Sequence, residues 1–282
     1  MSTYNQLIHE YRLKFKDKGL SPELVKAFIY ELCNDHKINL YLEMDNEVDK
    51  ELLEDFDKGI VRLLDGEPLN YVLGYSYFYG YRFIVNPDVL IPRPETEELV
   101  GLILSQYDEY FKGEKIKVCD VGTGSGAIAI ALKKEEPNLD VYASDISAEA
   151  LEVAKINAQN NECDIHFLEG SMLEPYIDND LKFDILVSNP PYIKSVEKVD
   201  SAVFDYEPHV ALFGGEDGLK FYREIFENAH KILNKKALAF FEMGYDQKEA
   251  LSALARDYFN DVDIKVFKDI NGKDRMLMLI FF

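Results

Sequence analysis

The sequence predicts an α/β protein in which a doubly wound, seven-stranded sheet follows a small helical domain. Three observations carry this expectation. Residues 3–17, 21–34 and 47–65 space their apolar side chains as amphipathic helices do. After Ile91, strand-like and helix-like segments alternate, the pattern of a parallel sheet covered on both faces by helices. Within that alternation the run Val118-Cys119-Asp120-Val121-Gly122-Thr123-Gly124-Ser125-Gly126 passes from a strand into a helix. Its glycines allow a ligand to approach the backbone with no Cβ in the way.

In chain order, Ser21-Pro22-Glu23 reads as a helix start, with a capping hydroxyl, a proline at the first helical position and an acid in the first turn. From Tyr71 to Leu90 the composition shifts to aromatic and β-branched residues around Gly80 and Asn86-Pro87, which predicts a hairpin and linker. The chain therefore divides into a helical domain over 1–70, a hairpin linker over 71–95 and an α/β domain over 96–282. In the last of these, strands are expected at 116–121, 140–145, 164–168, 183–188 and 237–243, and helices at 126–135, 147–160, 218–233 and 246–258. Two final strands, 262–268 and 275–281, flank the turn-forming Asn271-Gly272 and should pair antiparallel.

Bulk composition narrows the function. With 31 Lys+Arg against 52 Asp+Glu, the net charge of -21 has the wrong sign for sustained binding to a phosphate backbone, so no direct nucleic-acid binding is expected. Three cysteines without CxxC spacing fit neither a disulfide framework nor a zinc cluster, so no metal is expected and a reducing cytoplasm is the natural location. No stretch approaches the roughly 18 apolar residues of a membrane span. A monomer is the default.

The chemistry concentrates in three places. Gly122, Thr123, Gly124, Ser125 and Gly126 form a cofactor loop of G-x-G-x-G spacing, distinct from the G-x-G-x-x-G of pyrophosphate binders. Asp145 closes the second strand, where an acid accepts both hydroxyls of a ribose or, alternatively, caps the following helix. The fourth strand runs into Asn189-Pro190-Pro191-Tyr192. At the carboxyl end of a central strand these residues stand beside any cofactor. An amide nitrogen is a poor nucleophile because its lone pair is delocalised. The Asn189 side-chain oxygen and the Pro190 carbonyl can accept its two N–H bonds and orient it, while Tyr192 offers an aromatic face to a planar group.

These residues resemble the class I methyltransferases and, within them, the release-factor glutamine methyltransferases of the PrmC/HemK family. The resemblance extends through Pro68-Leu69-Asn70-Tyr71-Val72-Leu73-Gly74, Ile91-Pro92-Arg93-Pro94-Glu95-Thr96-Glu97, Asn189-Pro190-Pro191-Tyr192-Ile193 and Glu207-Pro208-His209-Val210-Ala211-Leu212 followed by Gly214-Gly215. It implies a Rossmann-like class I methyltransferase sheet and S-adenosylmethionine as cofactor. It further implies a helical N-terminal domain that recognises peptide-chain release factors, and methylation of the glutamine in their Gly-Gly-Gln motif. Gly122 to Gly126, Asp145 and Asn189 would hold the cofactor, with Asn189 and Pro190 catalytic. Asn189, Pro190, Pro191 and Tyr192 would bind the glutamine. Met172 either lies by the adenine or serves as packing. Arg93 and Glu95 either line the substrate channel or pin the linker through an ion pair. His209 is not counted as catalytic. The acidic residues Glu43, Asp45, Glu47, Asp49, Glu51, Glu54, Asp55 and Asp57 read as a solvated face, or as a docking surface for a basic partner. The rival is a nucleic-acid methyltransferase acting on an exocyclic amine of adenine, cytosine or ribosomal-RNA guanine through the same Asn-Pro-Pro-Tyr clasp. It conflicts with the charge.

Overall fold

The computed structural model describes residues 2–282, which form two units: the chain up to Tyr75 together with Asp200–Tyr206, and Ser76–Val199 with Glu207–Phe282. The first is helical: α1 (Tyr4–Asp17), α2 (Glu23–Asp35), the single-turn α3 (Leu40–Glu43), α4 (Lys50–Leu64) and α5 (Leu69–Leu73). Thr3 and Gln6 close a reciprocal capping box on α1, and Asp49 caps α4 by accepting from the amides of Glu51 and Leu52. At α2 the sequence expectation fails in detail. Pro22 is the N-cap and no side chain caps the helix; the carbonyl of Ser21, not its hydroxyl, accepts the first bond, from Leu24 N. Phe15, Val25, Phe28, Ile29, Leu52, Phe56 and Ile60 are the centre of this unit's core. Most of the acidic run is exposed, apart from partly covered Glu43 and Asp55.

The hairpin β1 (Tyr75–Phe78) and β2 (Tyr81–Ile84) turns on Tyr79-Gly80, both with positive φ, 51° and 82°, as a two-residue turn matched to strand twist requires. Then come α6 (Pro94–Phe111), β3 (Ile116–Val121), α7 (Ala127–Glu135), β4 (Leu139–Asp145), α8 (Ala148–Asn160), β5 (His166–Glu169), the short α9 (Glu174–Asp178), β6 (Phe183–Ser188) and the short α10 (Ser201–Tyr206). The chain ends with α11 (Lys220–Ala229), β7 (Leu233–Glu242), α12 (Lys248–Tyr258), β8 (Asp263–Lys268) and β9 (Asp274–Phe281).

Seven strands form one sheet in the order β5-β4-β3-β6-β7-β9-β8. The pairs β3/β4, β4/β5, β3/β6 and β6/β7 are parallel, whereas β9 runs antiparallel to both β7 and β8. The doubly wound sheet and its final antiparallel pair follow the sequence expectation; β9 lying between β7 and β8 goes beyond it. One core cluster gathers α6, α7 and their side of the sheet around Ile103, Ile130 and Val187, and the other gathers α11 and α12 around Tyr222, Phe226 and Leu251. The sequence reading omitted α6 and began β7 four residues late. After Leu233, β7 runs through the exposed Asn234-Lys235-Lys236, which carry no strand-like apolar signal. Because β3 is flanked by β4 on one side and β6 on the other, chain direction diverges at its carboxyl end, and the sheet opens a crevice there. Among the described residues no helix is long and apolar enough to cross a membrane.

Candidate active site

The crevice is a cavity of about 340 Å³ at the ends of β3, β4 and β6. β3 delivers the glycine loop, in which Gly122, Gly124 and Gly126 have φ of 72°, 53° and 82°, a conformation that side chains with a Cβ resist. The loop is moored to the next strand, since the amides of Gly122 and Thr123 both donate to the Ser144 carbonyl at 2.9 Å. Beneath it, buried Asp120 accepts from the Thr123 hydroxyl at 2.6 Å. Its other oxygen, Oδ1, makes no hydrogen bond among the described residues. Burial pushes the Asp120 carboxyl up to about 7.

At the end of β4, Asp145 accepts from Gly124 N at 2.9 Å and from Ser147 N at 3.0 Å. The helix cap is Ser147, whose hydroxyl accepts from Ala150 N, so Asp145 does not cap α8. Burial raises the Asp145 pKa, with the amides of Ser147, Gly124 and Ile146 acting against the shift. A carboxylate has about four acceptor positions, so Asp145 keeps capacity for a donor in the cavity that it lines.

Ser188, closing β6, donates to the Val121 carbonyl at 2.7 Å and ties the two central strand ends together. Immediately after it, Asn189 donates through Nδ2 to Thr96 Oγ1 at 3.2 Å. Thr96 in turn donates to the buried Glu242 at 2.6 Å, and the Tyr192 hydroxyl reaches the other Glu242 oxygen at 3.3 Å. Burial lifts the Glu242 carboxyl above its usual range, opposed by Thr96, Arg275 and Tyr192. It also raises the Tyr192 phenol, with the Glu242 charge adding to the shift. The backbone of the clasp is held from behind. Gln247 Nε2 donates to the carbonyls of Tyr192 and Gly218 at 3.1 and 3.2 Å, and a Cβ on Gly218 would fall 2.3 Å from the Tyr192 oxygen.

Gly122, Thr123, Gly124, Ser125, Asp145, Met172, Asn189, Pro190 and Pro191 thus line one cavity. Gly126 and Tyr192 do not. Gly126 is the first residue before α7 and faces Ile130 and Ala154, and the Tyr192 ring packs into the core beside α11. Met172 lines the cavity and also packs against that core. Arg93 also lines the cavity while one of its nitrogens sits 2.6 Å from both Glu207 oxygens. His209 lies outside the lining, edge-on to Phe213. The sequence reading missed Thr96 and Glu242, although Thr96 falls within the Arg-Pro-Glu-Thr-Glu segment it singled out.

A half-buried acid with spare acceptor positions beside a loop of exposed backbone, in a largely enclosed cavity, suits a ligand with a ribose diol and a small zwitterionic end. Comparison with known proteins agrees. The family model of the methyltransferase small domain matches residues 101–206, and that of the PrmC N-terminal domain matches residues 6–74. In fold the chain is similar to a methyltransferase from Pyrococcus furiosus, with a TM-score of 0.53 at 18% identity over 78% of this chain and 96% of that one. The release factor glutamine methyltransferase of Bacillus cereus is 43% identical over 251 residues, covering 87% of this chain and 89% of that protein. Its namesake from Staphylococcus aureus is 37% identical over 98% of this chain and 99% of its own length. Identity at this level along nearly the whole of both sequences places the chain in the release factor glutamine methyltransferase family.

Proposed function

We propose that this protein transfers a methyl group from S-adenosylmethionine to the side-chain amide nitrogen of the glutamine in the Gly-Gly-Gln motif of peptide-chain release factors. The observation that carries the reading is that the glycine loop, Asp145 and Asn189-Pro190-Pro191 line a single cavity at the topological switch point of the sheet. When bound, S-adenosylmethionine supplies an electrophilic methyl carbon on a sulfonium. Gly122 to Ser125 would present backbone to its methionyl end, Asp145 would accept its ribose hydroxyls and Met172, on the cavity wall, would lie by the adenine.

Asn189 Oδ1 and the Pro190 carbonyl accept the two N–H bonds of the substrate carboxamide. Such acceptors push electron density toward the amide nitrogen and remove its freedom to rotate, so that attack is made from a fixed orientation. Transfer would form the N–C bond at the expense of the sulfonium C–S bond, with the surplus N–H proton leaving to water. A carboxamide that has gained one methyl keeps a single N–H and can satisfy only one of the two acceptors, so transfer stops at one methyl. The helical unit, 1–70 in the sequence reading, recognises the release factor, and the protein works in the cytoplasm as a monomer.

Incubation of the purified protein with S-adenosylmethionine and a release factor, followed by mass spectrometry, is expected to add one methyl to that glutamine. Parallel reactions with DNA and ribosomal RNA should stay unlabelled; methyl found only on nucleic acid would replace this reading with its rival. The ribose role has its own check. Asp145→Asn keeps the shape but removes the charge, so calorimetry should find S-adenosylmethionine affinity reduced about 10–100-fold, as for loss of hydrogen bonds to a charged group. Unchanged affinity rejects the assignment.

A further inference from the structure

The segment Arg93-Pro94-Glu95-Thr96-Glu97 opens α6, and the structure gives most of it a use. Arg93 pairs with Glu207, Pro94 occupies the first helical turn and Glu97 accepts the Tyr79 amide at 2.7 Å. Thr96 is the member that reaches the clasp, through a chain of bonds joining groups distant in sequence: Asn189 Nδ2 to Thr96 Oγ1, and Thr96 Oγ1 to Glu242 Oε2.

A threonine hydroxyl has one hydrogen. Thr96, Arg275 and Tyr192 favour the charged form of Glu242 against its burial, and at 2.6 Å from that carboxylate the hydrogen goes to Glu242, because a charge-assisted O–H···O⁻ bond is the stronger alternative. The Thr96 oxygen is then only an acceptor toward Asn189, and the carboxamide must turn its NH₂ to Thr96 and its carbonyl oxygen away. Glu242 is itself constrained from several sides. The Tyr192 hydroxyl donates to its second oxygen, the Tyr222 hydroxyl donates to its backbone carbonyl, and the charges of Arg275 and Glu95 act on it with opposite sign.

We propose that Thr96, fixed by Glu242, is the positioning residue that sets the polarity of the clasp, forcing Asn189 to present an acceptor so that the site takes a group bearing two N–H bonds. This rests on the reading that a carboxamide is the methyl acceptor. Neither Thr96 nor Glu242 needs to touch the reacting atoms. With valine in place of threonine, the Asn189 NH₂ loses its partner and is free to turn toward the cavity, where it opposes the substrate's own N–H bonds.

The test uses the full chain, S-adenosylmethionine and a release factor, with Thr96→Val and Thr96→Ser compared by steady-state kinetics, calorimetry of cofactor binding and thermal melting. Thr96→Val is expected to lower kcat about 10–100-fold, the scale of a misdirected reacting group. Its KM for release factor and its cofactor affinity should stay near those of the parent. Thr96→Ser keeps the hydroxyl and should retain most of kcat. A valine variant with parental kcat, a loss confined to KM or to the melting midpoint, or a serine variant as impaired as valine would each overturn the proposal. Should the valine variant fail to fold, Glu242→Gln is the second arm. Its amide can donate to Thr96 and release the threonine hydrogen toward Asn189, so kcat should fall, and parental kcat refutes the relay. Failure of the parent protein itself to methylate release factor would instead refute the proposed substrate, which separates the two conclusions.

Discussion

Asn189→Ala is expected to reduce methyl transfer about 10²–10³-fold or more, the cost typical of removing one preorganised polar group at a reacting centre. Cofactor affinity should remain within a few-fold of the parent. The two effects separate because the side chain stands at the end of β6, whereas the loop after β3 and Asp145 after β4 are moored independently, through the Ser144 carbonyl and the amides of Gly124 and Ser147. Single-turnover rates with labelled S-adenosylmethionine, set beside calorimetric affinities, measure both. Undiminished transfer by the alanine variant would remove the clasp from the mechanism.

The second large effect is on stability. Arg93→Ala should destabilise the protein by about 3 kcal/mol, the lower end for breaking a buried pair by deleting one partner. The pair is unequal: the Glu207 side chain is 2% exposed and that of Arg93 34%. Deleting the arginine therefore leaves a buried carboxylate without its partner, and only the water that enters where the half-exposed guanidinium stood can offset that loss. At roughly 2–4 °C per kcal/mol for a unit of this size, the melting midpoint should fall by about 6–12 °C. Binding should weaken too, because Pro208, Val210 and Ala211, next to the freed carboxylate, line the cavity. The double variant Arg93→Ala/Glu207→Gln discriminates the cause. With no buried charge left it should recover most of the loss, and a double variant as unstable as the single one would mean that lost packing is responsible.

Much of the fold was legible because its signals are local. The strand period of β3 and β6, the glycines after β3 and the Asn271-Gly272 turn each announce themselves within a few residues, and all stand where the sequence reading put them. α6 was equally legible, since Pro94 at its start and the spacing of Leu99, Val100, Ile103, Tyr107 and Phe111 mark a helix, although the sequence reading did not include it. Other features were out of reach. Thr96 and Glu242 are 146 positions apart, and nothing in either neighbourhood signals that they meet. Tyr192 was expected to show its ring to a ligand, yet the ring is drawn into the core and its hydroxyl joins Glu242. Asp145 and Ser147 both had the chemistry to cap α8, and only the folded structure decides between them. The return of Asp200–Tyr206 to the helical unit has no sequence signature at all.

The place of β9 between β7 and β8 bears on how the molecule is made. During synthesis the helical unit and the five parallel strands leave the ribosome while one flank of β7, with the apolar Leu238 to Phe241 in it, still lacks the partner that residues 274–281 provide. A growing chain halted anywhere before that point carries an unpaired strand border, the kind of template that recruits other nascent chains. Completion of the sheet thus waits for the strand made after all its neighbours, and truncations that remove residues 274–281 while sparing every cavity residue should still accumulate as aggregate.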